Sequence, residues 1–357
     1  MAIASFLRRR PALLFLFAIV LFSSSCVDVA GSAGPSQTAG PIYAVGGTPT
    51  PATAPWPTPT RAVPRELRLA AGSPGSAYDS FAQAIAVVWM ARLPGLKVIV
   101  LPTGGPADNI RLLDSGGADV ALTRDDLSIE AANKTPPFNQ PYPIRVAALA
   151  ALYEESVQII AGADTNIVDS HGLSNKKVSM PPGDSAASVT LWQVLGAGKF
   201  QPSDFADILV LPDDQAAAAF RDKRVDVLMT TVAGPVSGLQ QAAQQRPVRV
   251  VPIVPGWQQQ ARDRYPFLFG SVIPAGTYNG QDGPASTLGV RGILVARRDM
   301  PNDYVYELVK ALVEGKDDLA ARSPVGKLFD PKQVTQRIST PFHVGAVDYY
   351  REAGLSK

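Results

Sequence analysis

The sequence predicts an α/β protein built from two similar lobes with a cleft between them. Strand-like and helix-like segments alternate from residue 65 onward, and the order β-α-β-α-β occurs twice. Leu69 and Val98, in the first two strands of the first occurrence, lie 29 positions apart, and Val178 and Ile208 in the second occurrence lie 30 apart. With 357 residues, 46% of them hydrophobic, the chain is long enough for two compact lobes.

The first 26 residues have the pattern of a signal peptide. Arg8 to Arg10 precede an unbroken apolar run from Ala12 to Phe22, which is shorter than the roughly 20 residues that cross a bilayer. Three serines then lead into Cys26, the only cysteine of the chain. This arrangement resembles the lipobox of bacterial lipoproteins, which implies lipidation of Cys26. Ordinary cleavage beside an incidental cysteine is the alternative.

Residues 27–64 read as an extended spacer. They include eight prolines and only two charged residues, Asp28 and Arg61, so neither a helix nor a strand ladder is expected there. A lipid anchor followed by a spacer predicts an exported protein that is held to a membrane and faces the periplasm or the cell exterior.

The first α/β unit follows the spacer directly. Residues 66–70 alternate like a strand, and residues 80–93 carry apolar side chains at helical spacing. An apolar strand is predicted at 97–101, a helix through 110–113 and a third strand at 117–123. This order predicts a parallel sheet that is covered on both faces.

The second α/β unit repeats the same order. Strands are predicted at 177–180, 207–211 and 225–231, with helices at 189–195 and 215–224 between them.

The composition excludes several classes of function. Two histidines and one cysteine cannot supply a zinc ligand set, and the phosphate-binding and nucleophile-elbow motifs are absent from the sequence. We therefore expect no metal, no cofactor and no enzymatic activity. The net charge is only +2, and no basic run lies outside the N-terminus, so no nucleic-acid partner is expected.

Four loops are candidates for a binding site. Ligands of open parallel sheets lie beyond the carboxyl ends of the strands, where this chain has residues 72–76, 103–105, 183–185 and 230–234. Each loop offers backbone N–H groups at a predicted helix start, which suits carboxylate or phosphate. Ordinary helix caps are the alternative for each loop. The predicted ligand-binding residues in these loops are Ser73, Ser76, Thr103, Gly104, Gly105, Asp184, Ser185 and Thr231.

Several motifs in order suggest a family. They are Leu-Pro-Thr-Gly-Gly at 101–105 with Asn-Ile-Arg-Leu-Leu at 109–113, Gly-Ala-Asp-Val-Ala-Leu at 117–122, Ile-Pro-Ala-Gly-Thr-Tyr at 273–278 with Gly-Gln at 280–281, Val-Arg-Gly-Ile-Leu-Val-Ala-Arg at 290–297, and the segment 342–355. Over residues 67–355 the chain resembles the TAXI-type solute receptors of tripartite ATP-independent periplasmic (TRAP) transporters.

The resemblance implies a type II periplasmic-binding-protein fold, in which each lobe is a mostly parallel sheet flanked by helices. It implies capture of a small anionic solute, a carboxylate such as glutamate or a 2-oxoacid, and its delivery to the membrane permease subunits of a TRAP transporter. Because the chain crosses twice between the lobes in that fold, lobe I is expected at 65–162 plus 271–357 and lobe II at 163–270.

Four side chains near the site leave their roles open. Arg124 is able to clamp a carboxylate or to pair with Asp125 or Asp126. Asp184 either caps its helix or meets a ligand amine or hydroxyl. Tyr78 is predicted to line the cleft, and Tyr278 lines it or packs in the core.

Two other classes of function compete with transport. A tethered receptor that presents its ligand state to a membrane sensor would have the same fold and site. An enzyme would need a reactive side chain in the cleft, and neither His171 nor His343 falls in a predicted site loop.

Overall fold

The computed structural model describes residues 66–183, 185–236 and 238–355. The predicted signal peptide, Cys26, the spacer at 27–64 and Asp184 lie outside the described residues, and their predictions stay open. In the described ranges, no helix has the length and apolar character that crossing a membrane requires.

Both predicted β-α-β-α-β units are confirmed. The first consists of β1 (Glu66–Ala70), α1 (Ala77–Arg92), β2 (Lys97–Leu101), α2 (Pro106–Asp114) and β3 (Val120–Arg124), and α3 (Asp125–Asn133) follows directly. The second consists of β5 (Lys177–Met180), α4 (Ala186–Ala197), β6 (Asp207–Val210), α5 (Asp213–Arg221) and β7 (Val227–Val232).

Two long strands connect the units, and sequence analysis did not foresee them. They are β4 (Ala147–Gly162) and β10 (Ala285–Ala296), with the short strands β8 (Val248–Val250) and β9 (Phe269–Ile273) beside them. The remaining helices are α6 (Leu239–Gln245), α7 (Pro255–Arg264), α8 (Asn302–Glu314), α9 (Lys316–Arg322) and α10 (Val344–Glu352).

The ten strands of the described residues form one mixed sheet in the order β2-β1-β3-β10-β4-β7-β5-β6, with β8 on β4 and β9 on β10. The three strands of each unit are parallel, whereas β4 and β10 are antiparallel to their neighbours. The first strand of each unit lies between the other two, so both units have the same topology. The predicted α/β architecture, with helices flanking mostly parallel strands in each unit, is confirmed.

The core has separate parts for the two units. In the first, the indole of Trp89 is buried and donates to the Leu308 carbonyl at 2.8 Å, which fixes α1 against α8. In the second, Leu191 and Trp257 pack α4 and α7 on the sheet. Strand β4 contributes side chains to both parts of the core, with Leu152 in the first part and later residues of the strand in the second. The lobe boundaries at 162/163 and 270/271 stay a prediction.

Candidate functional site

The strand register brings the ends of the two units together. Arg124, at the end of β3, pairs with Gly292 of β10, which pairs with Tyr153 of β4. Val232, at the end of β7, pairs with Ser156, three residues further along β4. The two sets of parallel strands therefore run toward each other, and their carboxyl ends meet near the middle of β4. The predicted site loops lie at these ends.

Serine caps begin the facing helices α1 and α4. The Ser76 hydroxyl accepts from the Asp79 N–H at 3.2 Å, and the Ser185 hydroxyl accepts from the Ser188 N–H at 3.2 Å. Both serines are half-buried, whereas Ser73 is exposed. The capping role is thus present, and a ligand contact by these serines stays a prediction.

The loop after β2 is fixed by a side chain that sequence analysis did not assign to the site. The Asn109 amide is fully buried and donates to the Ala71 and Leu122 carbonyls, each at 2.6 Å. Its carbonyl oxygen accepts from the Thr103 hydroxyl at 2.7 Å. Asn109 therefore ties together the ends of all three strands of the first unit. In the same loop Gly104 is exposed and Gly105 is half-buried, with a φ of 124° that favours glycine.

Arg124 is buried and paired. Its Nε lies 3.1 Å and its Nη2 2.5 Å from the two carboxylate oxygens of Asp126, and its Nη1 lies 3.4 Å from Glu155. The Thr190 hydroxyl also contacts this guanidinium. Burial alone would lower the pKa of Arg124, but the two carboxylates raise it above its usual value. Of the two roles left open, the salt bridge to Asp126 is the one present.

Tyr78 joins the same cluster. Its hydroxyl donates to Glu155 at 2.7 Å, and burial raises the pKa of both side chains. We call Tyr78, Arg124, Asp126, Glu155 and Thr190 the Arg124 network. Tyr78 and Arg124 are thus the predicted site residues that the structure brings together through a shared partner, Glu155.

Helices α3 and α4 make direct contact between the two units. The Thr190 hydroxyl donates to Asp126 at 2.9 Å, and the Gln193 amide donates to Glu130 at 2.8 Å. Burial, aided by the charge of Asp126, raises the pKa of Glu130 to about 7. The contact also has an apolar part, because Ala186 packs with residues of the first unit.

Thr231 lies on the same face of the sheet as Glu155. It pairs with Val157, two residues beyond Glu155 in β4, and successive strand residues alternate between faces. Thr231 is 5% exposed, and its hydroxyl has no hydrogen-bond partner among the described residues. A buried hydroxyl at a strand end is therefore free to accept or donate to a ligand.

Tyr278 lies apart from these residues. Its buried hydroxyl accepts from the Val236 N–H at 2.7 Å and donates to Gln158 at 2.5 Å, and its ring packs in the core beneath α5 and α6. Gln158 points to the opposite face of β4 from Val157. For Tyr278 the packing role is the one present.

The residues missed from the sequence gave little local signal. Glu155 was detectable as part of a charged pair with Glu154 inside an otherwise apolar strand. Thr190 and Gln193 sit on a helix with no chemical motif. A surface cavity of about 1010 Å³ lies elsewhere, along the α1–β2 turn and α8, and none of the predicted site residues lines it.

Solved structures share this fold at low sequence identity. PhnD1 from Prochlorococcus marinus, in complex with methylphosphonate, is 10% identical and aligns over 82% of this chain and 99% of its own with a TM-score of 0.53. MatC from Rhodopseudomonas palustris, with bound malate, is 16% identical over 81% and 96%, with a TM-score of 0.50. The putative sulfonate ABC transporter protein SsuA from Methylobacillus flagellatus is 15% identical over 81% and 84%, with a TM-score of 0.47.

Residues 69–354 match the model of the NMT1-like family, and the chain belongs to that family.

The family assignment corrects the resemblance described above. The family model that matches is that of the NMT1-like family, so the identification as a TAXI-type receptor is wrong. The prediction of a TRAP permease as the partner rested on that identification and is withdrawn with it. Several residues of the motifs that suggested the TAXI family have structural roles in this fold. Gly105 and Gly280 have positive φ, and Asn109 holds three strand ends.

Proposed function

We propose that this protein is an extracytoplasmic solute-binding protein that holds a small anionic solute between its two α/β units and delivers it to a membrane transporter. The observation that carries the proposal is the meeting of capped helix starts from both units at the middle of β4. Helix starts carry partial positive charge and backbone N–H donors, which suits carboxylate, phosphonate or sulfonate groups. The methylphosphonate and malate of the two related structures are ligands of this kind.

Backbone and hydroxyl groups, rather than a guanidinium, are the proposed anion contacts. Arg124 already neutralises one of its two carboxylate partners, and a ligand carboxylate would have to displace Asp126 or Glu155 from it. Ser76, Ser185 and Thr231 need no such exchange. Thr231 is the most informative, since an unpaired buried hydroxyl costs about 1–3 kcal/mol that a ligand oxygen would offset.

The Arg124 network sets the spacing of the two units in this proposal. Ligand contacts to both units stabilise the closed arrangement over an open one, and no chemical step is needed. The α3–α4 contact adds to the closed arrangement, because Thr190 and Gln193 reach carboxylates of the first unit.

Export and lipidation of Cys26 are the corresponding proposal for the N-terminus. Incorporation of radiolabelled palmitate into the wild-type chain, and its loss in Cys26→Ala, would support an anchor. Labelling that persists in the variant would contradict it.

The proposed function is tested by ligand binding to the chain without its first 26 residues. Malate, methylphosphonate, an alkanesulfonate, an uncharged sugar and a diamine are compared by thermal shift and then by calorimetry. A ligand that binds only the folded state raises the midpoint. An acid, phosphonate or sulfonate should do so, and the sugar and diamine should not.

Thr231→Val is the decisive variant. It should fold normally and bind the same ligand about tenfold more weakly, as expected for one lost hydrogen bond of about 1.4 kcal/mol. Thr335→Val, which removes a hydroxyl bonded to the Leu355 carbonyl, is the matched control. Equal affinity in both variants would remove Thr231 from the site. A response to the sugar or diamine alone would refute the anionic ligand.

A further inference from the structure

Arg291, in the middle of β10, is buried without a hydrogen-bond or ion-pair partner among the described residues. It is 4% exposed, and its guanidinium makes no hydrogen bond and no ion pair with any residue that the structure describes. Its contact is with an aromatic ring, since the guanidinium carbon lies 5.3 Å from the centre of the Phe269 ring. A buried charge without a counter-ion is strongly unfavourable, so paired or ligand-bound arginine is the normal state in an interior.

The carboxylate of Glu154, the cross-strand neighbour of Arg291, is engaged by other groups. Glu154 pairs with Arg291 across β4 and β10 in the strand register, yet its side chain is bound by the Ser271 and Ser156 hydroxyls. Its second oxygen lies 3.7 Å from Arg337. The Glu154 carboxylate therefore faces two arginines, and none of its hydrogen bonds goes to Arg291.

Asp125 lies near enough for its charge to favour the charged form of Arg291, but its hydrogen bonds go to other groups. Its carboxylate is fully buried and accepts from the Ser339 and Thr340 N–H groups and from the Thr340 hydroxyl, at 2.7 to 2.9 Å. It forms no ion pair with Arg291 within the described residues.

Arg337 contacts the same aromatic ring as Arg291. Its guanidinium carbon lies 4.5 Å from the centre of the Phe269 ring, and its backbone φ is 56°, a left-handed value that non-glycine residues rarely adopt. Two guanidiniums thus share one aromatic ring. Arg337 is half-exposed at its side chain, so a small ion from solvent is able to reach the pair.

We propose that Arg291 and Arg337 form a binding site for a small oxyanion such as phosphate or sulfate. Guanidinium groups present parallel N–H donors that match two oxygens of an oxyanion. The ion supplies a counter-charge to Arg291, which has no ion pair among the described residues to give up.

This oxyanion site is separate from the proposed solute site. Arg291 precedes Gly292, the partner of Arg124, and Glu154 precedes Glu155 of the Arg124 network. Because neighbouring strand residues point to opposite faces, the oxyanion site and the Arg124 network lie on opposite faces of β4 and β10.

The test measures phosphate binding to the wild-type chain, Arg291→Met, Thr231→Val and Arg351→Met. Calorimetry with inorganic phosphate and thermal unfolding in phosphate against sodium chloride of equal ionic strength are the two readouts. We expect phosphate to raise the wild-type midpoint and Arg291→Met to bind phosphate at least tenfold more weakly. Thr231→Val, a solute-site change, and Arg351→Met, which removes an exposed arginine, should respond like the wild-type chain.

Two outcomes would overturn the proposal. A phosphate response that persists in Arg291→Met but disappears in Thr231→Val would place the ion in the solute site. The absence of any phosphate response in the wild-type chain would mean that the two arginines do not form an oxyanion site. If Arg291→Met does not fold, Arg337→Met, at a half-exposed position, carries the same expectation.

Discussion

A buried arginine lies on each face of the sheet at the crossing strands β4 and β10, and the two arginines differ in their polar partners. On one face Arg124 is 1% exposed and bound by Asp126, Glu155 and Thr190. On the other face Arg291 is 4% exposed and has no polar partner among the described residues. The two arginines are thus about equally buried, but only Arg124 is bound by carboxylates. The difference indicates that the first arginine holds the two units together, whereas the second awaits a counter-ion from outside the chain.

The largest expected effect is that of Arg124→Met. Removing this guanidinium leaves Asp126 and Glu155 buried without their counter-charge, and breaking a buried pair in this way typically costs 3–5 kcal/mol. Urea unfolding at neutral pH measures the loss, with Arg351→Met as a control that should change stability by less than about 1 kcal/mol. A loss below about 1 kcal/mol in Arg124→Met would show that the network contributes little.

Glu130→Gln is expected to act through pH. Since burial raises the pKa of Glu130 to about 7, above the ordinary value of 4.5, the folded state binds a proton that the unfolded state has released. Its share of the stability is therefore complete below about pH 4.5 and is lost as the pH rises through about 7.

The glutamine variant does not titrate, so it should match the wild-type stability at pH 4.5 and exceed it by about 1–2 kcal/mol at pH 7.5. Thermal unfolding at several pH values measures this gap, and Glu307→Gln, at an exposed position, is the control. A gap that is constant across pH would contradict protonation of Glu130 at the α3–α4 contact.

The smallest expected effect is that of Arg291→Met in buffer without oxyanions. Methionine fills similar volume and removes a buried charge that has no ion-pair partner among the described residues, so the free energy of unfolding should stay the same or rise by about 1 kcal/mol. The sign is thus opposite to that of Arg124→Met. Urea unfolding in chloride buffer measures it, and a loss of more than about 2 kcal/mol would erase the contrast between the two faces.

Much of the fold was predictable because its signals are local. Residues 66–70, 97–101 and 177–180 were assigned as strands with their exact bounds, since alternation or an apolar run needs no distant partner. The helix caps at Ser76 and Ser185 were likewise readable from the residues beside them. Strands β4 and β10 were not assigned, because their mainly apolar sequence, interrupted by a few polar residues, does not distinguish a crossing strand from any other buried segment.

The candidate site was only partly predictable. Arg124 and Tyr78 were named in advance, but their common partner Glu155 is 31 residues beyond Arg124 and 77 beyond Tyr78. Tyr278 belongs to one of the motifs that suggested a family. In the structure, however, its hydroxyl bonds to Gln158 and Val236, on the face of the sheet opposite to the Arg124 network.

The sequence by itself determined the alternation of strands and helices, the repeat of one α/β unit and the small polar residues at the helix starts. These features depend on periodicity and backbone preference within a few residues. The tertiary structure alone decided that two strands join the units, that Arg124 is fully paired and that Arg291 is not. Charge compensation depends on which distant side chains the register of the sheet brings within a few ångströms, and no local pattern carries that information.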